Sequence, residues 1–293
     1  MELFIEQLLN GLGAGAIQQR VIDIALITLG LALIYGVMKI LHVAHASVYT
    51  AGAYMGLYIF LSTGSVLIAV IVSMAFCSLL GVLIERYIYY PLLKYPPYVP
   101  LISSIALLIA IEELCRLVAG PEVRTFSAAL PFPSAVVCGV TISSTLMAVY
   151  CLTVVILIAL WLLMTKTELG LAMRAVAQDM ETAASLGVNT QRTVALTFVI
   201  GSAIAAIAGI LMGIYYNQVY PMMGEVPAYK TLALIVVGGM GSVPGAVLAS
   251  LLLGLGETFL IGYANIPMPR DALAFIAMII ILMWKPTGLL GKR

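Results

Sequence analysis

The sequence predicts an all-α fold, a polytopic transmembrane helical bundle of about eight spans with additional broken or re-entrant segments. Three observations support this prediction. Hydrophobic residues make up 63% of the 293 residues and charged residues only 9%. The mean hydropathy of +1.13 is too high for a soluble fold, which could not bury so much apolar surface. Several uncharged runs also reach the ~20 residues that a helix needs to cross a bilayer core.

The apolar runs place the spans in order along the chain, with charged residues, prolines and glycines near their ends. The N-terminal segment carries Glu2 and Glu6 and lacks a basic region, so we expect no cleaved signal peptide. We expect residues 1–293 to form one transmembrane domain. Its predicted spans are residues 21–38, 49–62, 66–90, 98–118, 146–164 and 194–216, a short segment at 228–239, and residues 244–262 and 271–284.

The stretch 165–193 lies between two of these spans but is charged, alanine-rich and amphipathic. Because such a segment cannot lie in hydrocarbon, it must present a folded surface in water. If it is cytoplasmic, the loops on its side carry more Lys and Arg than the opposite loops, which fits the positive-inside rule. We therefore expect a cytoplasmic loop that contacts a soluble partner protein. Its charged residues are Lys166, Glu168, Arg174, Asp179, Glu181 and Arg192.

The longest loop on the opposite, external side is residues 119–145. Its prolines and β-branched residues predict an extended hairpin on the membrane surface. Just before it, Glu112 and Arg116 are spaced i to i+4 on one predicted span, which favours an ion pair. The positively charged residues that we assign to external loops and span ends are Arg20, Arg116, Arg124, Lys230 and Arg270.

Two stretches interrupt apolar runs. Residues 236–246 read VVGGMGSVPGA, and residues 39–47 read KILHVAHAS. Glycine and proline free backbone groups that hydrocarbon cannot satisfy, so the first break should pack against protein or line a wet cavity. The apolar segment before it is too short to cross a membrane alone, which indicates a half-helix or re-entrant element.

Four motifs follow one another along the chain. They read NGL at 10–12, LIYGVMKILHVAHASVYTAGAY at 33–54, GLAMRAVAQDMETAASLGVNTQR at 170–192 and VGGMGSVPGAVLASLLLGLGE at 237–257. This ordered set resembles the permease subunits of bacterial branched-chain amino-acid ABC importers. The resemblance extends through most of the chain, and the order of the motifs is more specific than any one of them.

The resemblance implies a multi-pass translocation subunit of the bacterial inner (cytoplasmic) membrane that carries branched-chain amino acids or related small polar solutes. It implies as partners a second homologous permease subunit, two cytoplasmic ATPase subunits, a periplasmic substrate-binding protein and membrane lipid. It implies no catalysis and no cofactor for this chain, and the sequence has no GxxxxGK[ST] phosphate loop. The net charge of +1 offers no basic surface for nucleic acid.

The loop residues 181–187, ETAASLG, are similar to the signature with which importer permeases dock on their ATPases. Small residues there would give a low profile that fits a groove, and the charged residues would fix its orientation. The alternative is an ordinary amphipathic connector. The expected coupling residues are Arg174, Asp179, Glu181, Ala183, Ala184 and Gly187.

His42 and His45 are spaced so that they share a helical face, a geometry that could hold a metal. No third ligand is near them in the sequence, so we expect no metal site. The family pattern reads NFAHGE where this chain reads HVAHAS; His45 matches, whereas Ser47 replaces the family's carboxylate. The histidines either line a translocation path or structure the helix break.

Glu257 lies in an apolar span, where an ionised side chain costs at least ~2.5–3.5 kcal/mol unless it faces a cavity or a partner. We expect it to point inward or towards the second permease. The residues expected along the translocation path are His42, His45, Ser47, Gly239, Gly241, Ser242 and Glu257.

Two other classes of function remain open. A secondary transporter would need an ion-coupling carboxylate at the midplane, for which Glu257 is the one serious candidate. A membrane enzyme would need a convergent polar constellation, and the sequence offers only two histidines without acidic partners. Within the importer class, urea, short amides and small aromatic acids are alternative substrates.

Overall fold

The computed structural model describes residues 18–128, 135–137, 140–142, 144–258 and 270–291. A π-helical turn, Glu85–Tyr89, and a short turn of helix, Tyr90–Leu92, extend the third helix, and two strands form a small antiparallel sheet. In chain order the elements are α1 (Gln18–Met38), α2 (His45–Thr63), α3 (Val66–Ile84), α4 (Tyr98–Ala119), β1 (Ala135–Val137), β2 (Val140–Ile142), α5 (Ser144–Lys166), α6 (Glu168–Gln178), α7 (Met180–Ser185), α8 (Thr190–Tyr216), α9 (Glu225–Gly238), α10 (Val243–Thr258) and α11 (Arg270–Trp284).

The prediction of a helical architecture is confirmed, and within the described residues each predicted span coincides with one of these helices. Residues 259–262 of the predicted span 244–262 lie outside the described residues. Two segments of the described chain, Val66–Leu92 and Thr190–Tyr216, are long and apolar enough to cross a membrane on their own. The number rises to four if α5 with α6, and α9 with α10, each form one bent span. These counts do not establish the predicted number of about eight spans.

Helix α8 lies at the centre of the bundle and packs against α1, α2 and α3. Small residues allow this close packing, since Gly201, Ala205 and Gly209 recur every fourth position along α8. Across the interface, a Cβ atom at Gly52 of α2 would lie 2.7 Å from the Cα atom of Ala206. In a membrane, where apolar burial drives helix association little, such close backbone contact is a main source of stability.

The strand pairing of the hairpin predicted within residues 119–145 is confirmed, because β1 pairs with β2 in antiparallel register, Ala135 opposite Ile142. Its position on the membrane surface stays a prediction. Pro131, Pro133 and Cys138 lie outside the described residues, and so do the N-terminal residues 1–17. Ahead of the hairpin, the Arg124 N–H donates to the Val219 C=O and the Val219 N–H donates to the Arg124 C=O, both at 2.8 Å. This bridge holds the chain after α4 against the chain after α8.

The ion pair predicted between Glu112 and Arg116 is wrong. Leu108, Ile111 and Glu112 are buried on one face of α4, whereas Arg116 lies on the exposed face and pairs with Glu113 at 3.3 Å. The i to i+4 spacing places the two residues on adjacent turns of one helix, but it does not tell which side of the helix is buried.

Candidate translocation site

The break predicted at residues 236–246 is present. Helix α9 ends at Gly238, α10 begins at Val243, and the two helices are bent by 115°. Gly239 and Gly241 have φ angles of 104° and 88°. Side chains with a Cβ atom rarely adopt this region, so glycine permits the sharp reversal.

The backbone groups freed by this break find partners within the protein. The N–H groups of Leu289 and Leu290 donate to the C=O groups of Val237 and Gly238 at 2.8 and 3.0 Å. At the other side of the break, the Ser242 hydroxyl accepts a bond from the Gly245 N–H at 3.1 Å and so caps α10. The break therefore packs against protein, as the physics of a hydrocarbon environment requires. A path-lining role for Gly239, Gly241 and Ser242 stays a prediction.

A second break separates α1 from α2. Helix α1 ends at Met38, Lys39 has a positive φ of 56°, and α2 begins at His45. The Ala44 N–H donates to the Ser104 hydroxyl of α4 at 3.0 Å. The helix begins four positions before the predicted span, because the turn at His42 already folds the chain back onto itself: the His45 N–H donates to the His42 C=O at 3.1 Å.

The histidines of this break are fully buried in a cluster of aromatic rings. The rings of His42 and His45 are 5.7 Å apart, and His42 Nδ1 lies 2.6 Å from the Tyr89 hydroxyl. The predicted proximity is confirmed, although His42 belongs to the turn before α2 rather than to the helix. No group of three His, Cys, Asp or Glu side chains in the described residues is placed to hold a metal ion.

Tyr89 was not singled out from the sequence. It reaches His42 because the π-helical turn Glu85–Tyr89 shifts the register at the end of α3, a kind of irregularity common at functional sites. Ser47 is also buried, and its hydroxyl donates to the Ala44 C=O at 2.8 Å. These contacts support the interpretation that the cluster structures the break; a role for His42, His45 and Ser47 along the path stays a prediction.

Glu257 forms a buried ion pair with Lys230. The Lys230 Nζ lies 2.9 Å from Glu257 Oε1, and the two side chains are only 1% and 6% exposed. Lys230, which we assigned to an external loop or span end, lies in α9 with its side chain buried in the protein. Its position relative to the membrane stays a prediction. The expectation that Glu257 points inward is confirmed, and its partner lies on the other arm of the 115° bend.

Two cavities are each lined by one member of this pair. The first, of about 200 Å³, is lined by Lys230 and by residues of α2, α8 and the chain that joins α8 to α9. The second, of about 370 Å³, is lined by Glu257 and otherwise by apolar residues of α9, α10, α11 and the C-terminal turn. Lys230 thus lines one cavity and Glu257 the other. Lys230 is the residue here that sequence reasoning missed.

The charged stretch 165–193 folds into α6 and α7, and α5 and α6 meet at an angle of 76°. Gly170, Met173 and Val176 form the buried face of α6, while Leu171 and Leu186 are 61% and 79% exposed. The predicted amphipathic helix is confirmed. Large apolar side chains on an otherwise polar surface favour contact with a protein.

The coupling residues predicted in this stretch differ in what they contact. Arg174 donates to the Met164 C=O and so binds the segment to α5. Asp179 caps α7, since its carboxylate accepts a bond from the Thr182 N–H at 2.6 Å, and this bond holds the pKa of Asp179 below its ordinary value. Glu181, Ala184 and Gly187 are exposed, as expected.

Ala183 departs from the expectation that it belongs to the low-profile surface. It is buried, because it faces the core together with Met173 and Val176 of α6. Contact of the remaining exposed residues with an ATPase stays a prediction.

Comparison with known proteins identifies the family that the sequence motifs resemble, and the match covers nearly the whole chain. Residues 14–283 match the family described as branched-chain amino acid transport system, permease component. The permease protein BraD of the high-affinity branched-chain amino acid transport system of Pseudomonas aeruginosa is 33% identical, over 99% of this chain and 96% of the relative. LivH of Escherichia coli K12, a permease protein of the same kind of system, is 32% identical over the same shares.

A second Escherichia coli permease protein, LivM, is 29% identical over 43% of this chain and 29% of its own length. No solved structure matches the chain. The match over residues 14–283 and the near full-length identity to BraD and LivH show that this chain belongs to the family of branched-chain amino acid transport permeases.

Proposed function

We propose that this chain forms the translocation path of a bacterial ABC importer for branched-chain amino acids. The near full-length similarity to BraD and LivH carries the proposal, because it covers the motifs at both helix breaks and the charged segment between α5 and α8. Both relatives are named as permease proteins for high-affinity branched-chain amino acid transport. The protein itself performs no covalent chemistry in this proposal.

The importer would contain a second, homologous permease in the inner membrane. Supporting this, LivH and LivM are two permease proteins of the same Escherichia coli strain, and both are similar to this chain. Two ATPase subunits on the cytoplasmic side and a periplasmic binding protein would complete the assembly.

The α6–α7 segment would transmit the closure of the ATPases to the spans. It is bound firmly to the bundle through buried Met173 and Val176 and through Arg174, so it can move with α5 and α8 as one unit. Exposed Leu171, Glu181 and Leu186 would contact the ATPase. Alternating access would follow from rearrangement of the broken helices.

The test is reconstitution of the importer that co-purifies with the affinity-tagged chain. In proteoliposomes, we expect leucine uptake that requires internal ATP and the binding protein and persists in the presence of ionophores. Uptake that is independent of ATP and abolished by ionophores would instead indicate a secondary transporter. Competition by urea, acetamide and benzoate in the same assay tests the alternative substrates.

A further inference from the structure

The cavity beside Lys230 has the dimensions and lining of a site for one small solute. Its volume of about 200 Å³ is below the ~300–1,000 Å³ typical of pockets for drug-sized ligands. Exposed Gln218 and Val226 lie at its mouth, and buried Met212 and Met223 form part of its wall. The cavity therefore leads from the surface to the buried ammonium group of Lys230.

The lining combines three chemistries that a single class of ligand matches. Met212, Met223 and Val226 offer apolar surface, and Lys230 offers a cation. The aromatic rings that line the same cavity attract cations to their faces; they belong to Tyr49, Tyr216 and Tyr220. An aliphatic α-amino acid has a carboxylate for the cation, an ammonium for the aromatic rings and an apolar side chain for the remaining wall.

We propose that Lys230 binds the carboxylate of the amino acid that passes through this cavity. This inference rests on the proposed function. Glu257 stabilises the buried ammonium, because an unpaired buried charge is costly. The ammonium carries three N–H donors, so an arriving carboxylate can share it with Glu257, and neither carboxylate is left without a cation.

Cysteine protection tests binding in the cavity without relying on transport. The four cysteines of this chain are replaced by serine, and Val226→Cys then places a thiol at the cavity mouth in the assembled importer. The modification of this thiol by an aqueous maleimide is followed. At a leucine concentration about tenfold above its Kd, we expect leucine to slow this modification by about tenfold, because only the unoccupied sites react. Leucinamide, which lacks the carboxylate, should not slow it.

Matched variants assign the effect to Lys230. Tyr229→Cys, also exposed but outside the cavity lining, should react at the same rate with and without leucine. Adding Lys230→Met to Val226→Cys should abolish protection by leucine, whereas Lys230→Arg should retain part of it. If Lys230→Met alone prevents assembly, the double change Lys230→Met with Glu257→Met removes both charges and gives the same readout in a complex without an unpaired carboxylate.

Three results would overturn the proposal: no protection by leucine, equal protection by leucinamide, or protection that survives Lys230→Met. Leucine uptake by the unmodified importer, measured in the same vesicles, separates these failures from a failure of the proposed function. Uptake without protection refutes the site alone, whereas absent uptake refutes the proposed function.

Discussion

Two cation–carboxylate pairs of the described residues differ in burial, one being exposed to solvent and the other buried in the protein. Arg116 and Glu113 lie 3.3 Å apart with side chains 53% and 55% exposed, whereas Lys230 and Glu257 lie 2.9 Å apart and are 1% and 6% exposed. An exposed pair contributes only ~0–1 kcal/mol to stability. A buried pair must offset the desolvation of two charges, and replacing both partners by apolar groups is often neutral or stabilising.

Stability alone therefore explains the buried pair poorly. Apart from Glu257, the residues of α9 and α10 that line the second cavity are apolar, so an apolar pair at these positions would match its surroundings. The pair instead lies beside a cavity with aromatic and polar walls. We infer that the charges are retained for what they bind.

The largest expected effect is the loss of one partner of the buried pair. Glu257→Leu or Lys230→Met leaves an uncompensated buried charge and should destabilise the folded permease by about 3–5 kcal/mol. Glu257→Gln preserves the shape and an acceptor oxygen for Lys230, so it should cost less stability and give assembled importer with reduced transport, and Glu257→Leu should give a larger transport defect. Unfolding in detergent and the yield of assembled importer measure the first effect, and uptake measures the second. Unchanged stability in the single variants would show that the pair is solvated.

Substitution at the α9–α10 break should have the next largest effect. A Cβ atom at Gly239 would lie 2.7 Å from the Cα atom of Gly291, and Gly241 has a strained φ for any other residue. Each Leu substitution should cost about 1–3 kcal/mol from backbone strain, and Gly239→Leu should also displace the C-terminal turn. We expect the double variant to stop transport, with assembly less affected.

Gly256→Ala in α10 is the matched control for the break, because a Cβ atom added at Gly256 would meet no described atom within 4 Å. It should be neutral or slightly stabilising. A cysteine at Ser242 tests the environment of the break: inaccessibility to aqueous thiol reagents in every state would exclude a wet path there.

Changes in the α6–α7 segment should abolish coupling while the permease still folds and inserts. Gly187 and Glu181 are both exposed. Gly187 has a φ of 91°, so Gly187→Trp should also cost about 1–3 kcal/mol of backbone strain, whereas Glu181→Lys should leave stability unchanged. Both variants should insert but lose the stimulation of ATP hydrolysis by substrate-loaded binding protein. Normal stimulation in both variants would contradict docking of an ATPase at this surface.

The smallest effect is expected at the exposed pair. Glu113→Gln should change stability by no more than about 0.5 kcal/mol, because solvent already screens its interaction with Arg116. Uptake should equal that of the unmodified importer. A defect comparable to that of Glu257→Gln would remove the contrast between the two pairs and indicate a partner at the end of α4.

Sequence reasoning located the helices well because long apolar runs and glycine-rich interruptions mark them directly. It recognised that Glu257 needs a partner, since an isolated carboxylate in an apolar span is costly. It could not name Lys230, because the pairing depends on the 115° bend that brings α9 and α10 together. Near the edge of a predicted span, a lysine is equally consistent with an interfacial position.

Other features of the site had no clear signal in the sequence. The contact of Tyr89 with His42 depends on a π-helical turn, which hydropathy does not report. The bonds from Leu289 and Leu290 to the end of α9 involve only backbone groups. The sequence indicates that the carbonyl groups freed at the break need donors. It does not indicate that the C-terminal segment supplies these donors.

The central claim is that the Lys230–Glu257 pair serves transport rather than folding. The most direct measurement is ATP-driven leucine uptake by proteoliposomes containing the double variant Lys230→Met with Glu257→Met, compared with the unmodified importer at equal amounts of assembled complex. We predict normal assembly, with stability equal to or above that of the unmodified protein, and uptake reduced to the level without ATP. Uptake at the unmodified rate would show that the pair is a replaceable packing element and would contradict the account.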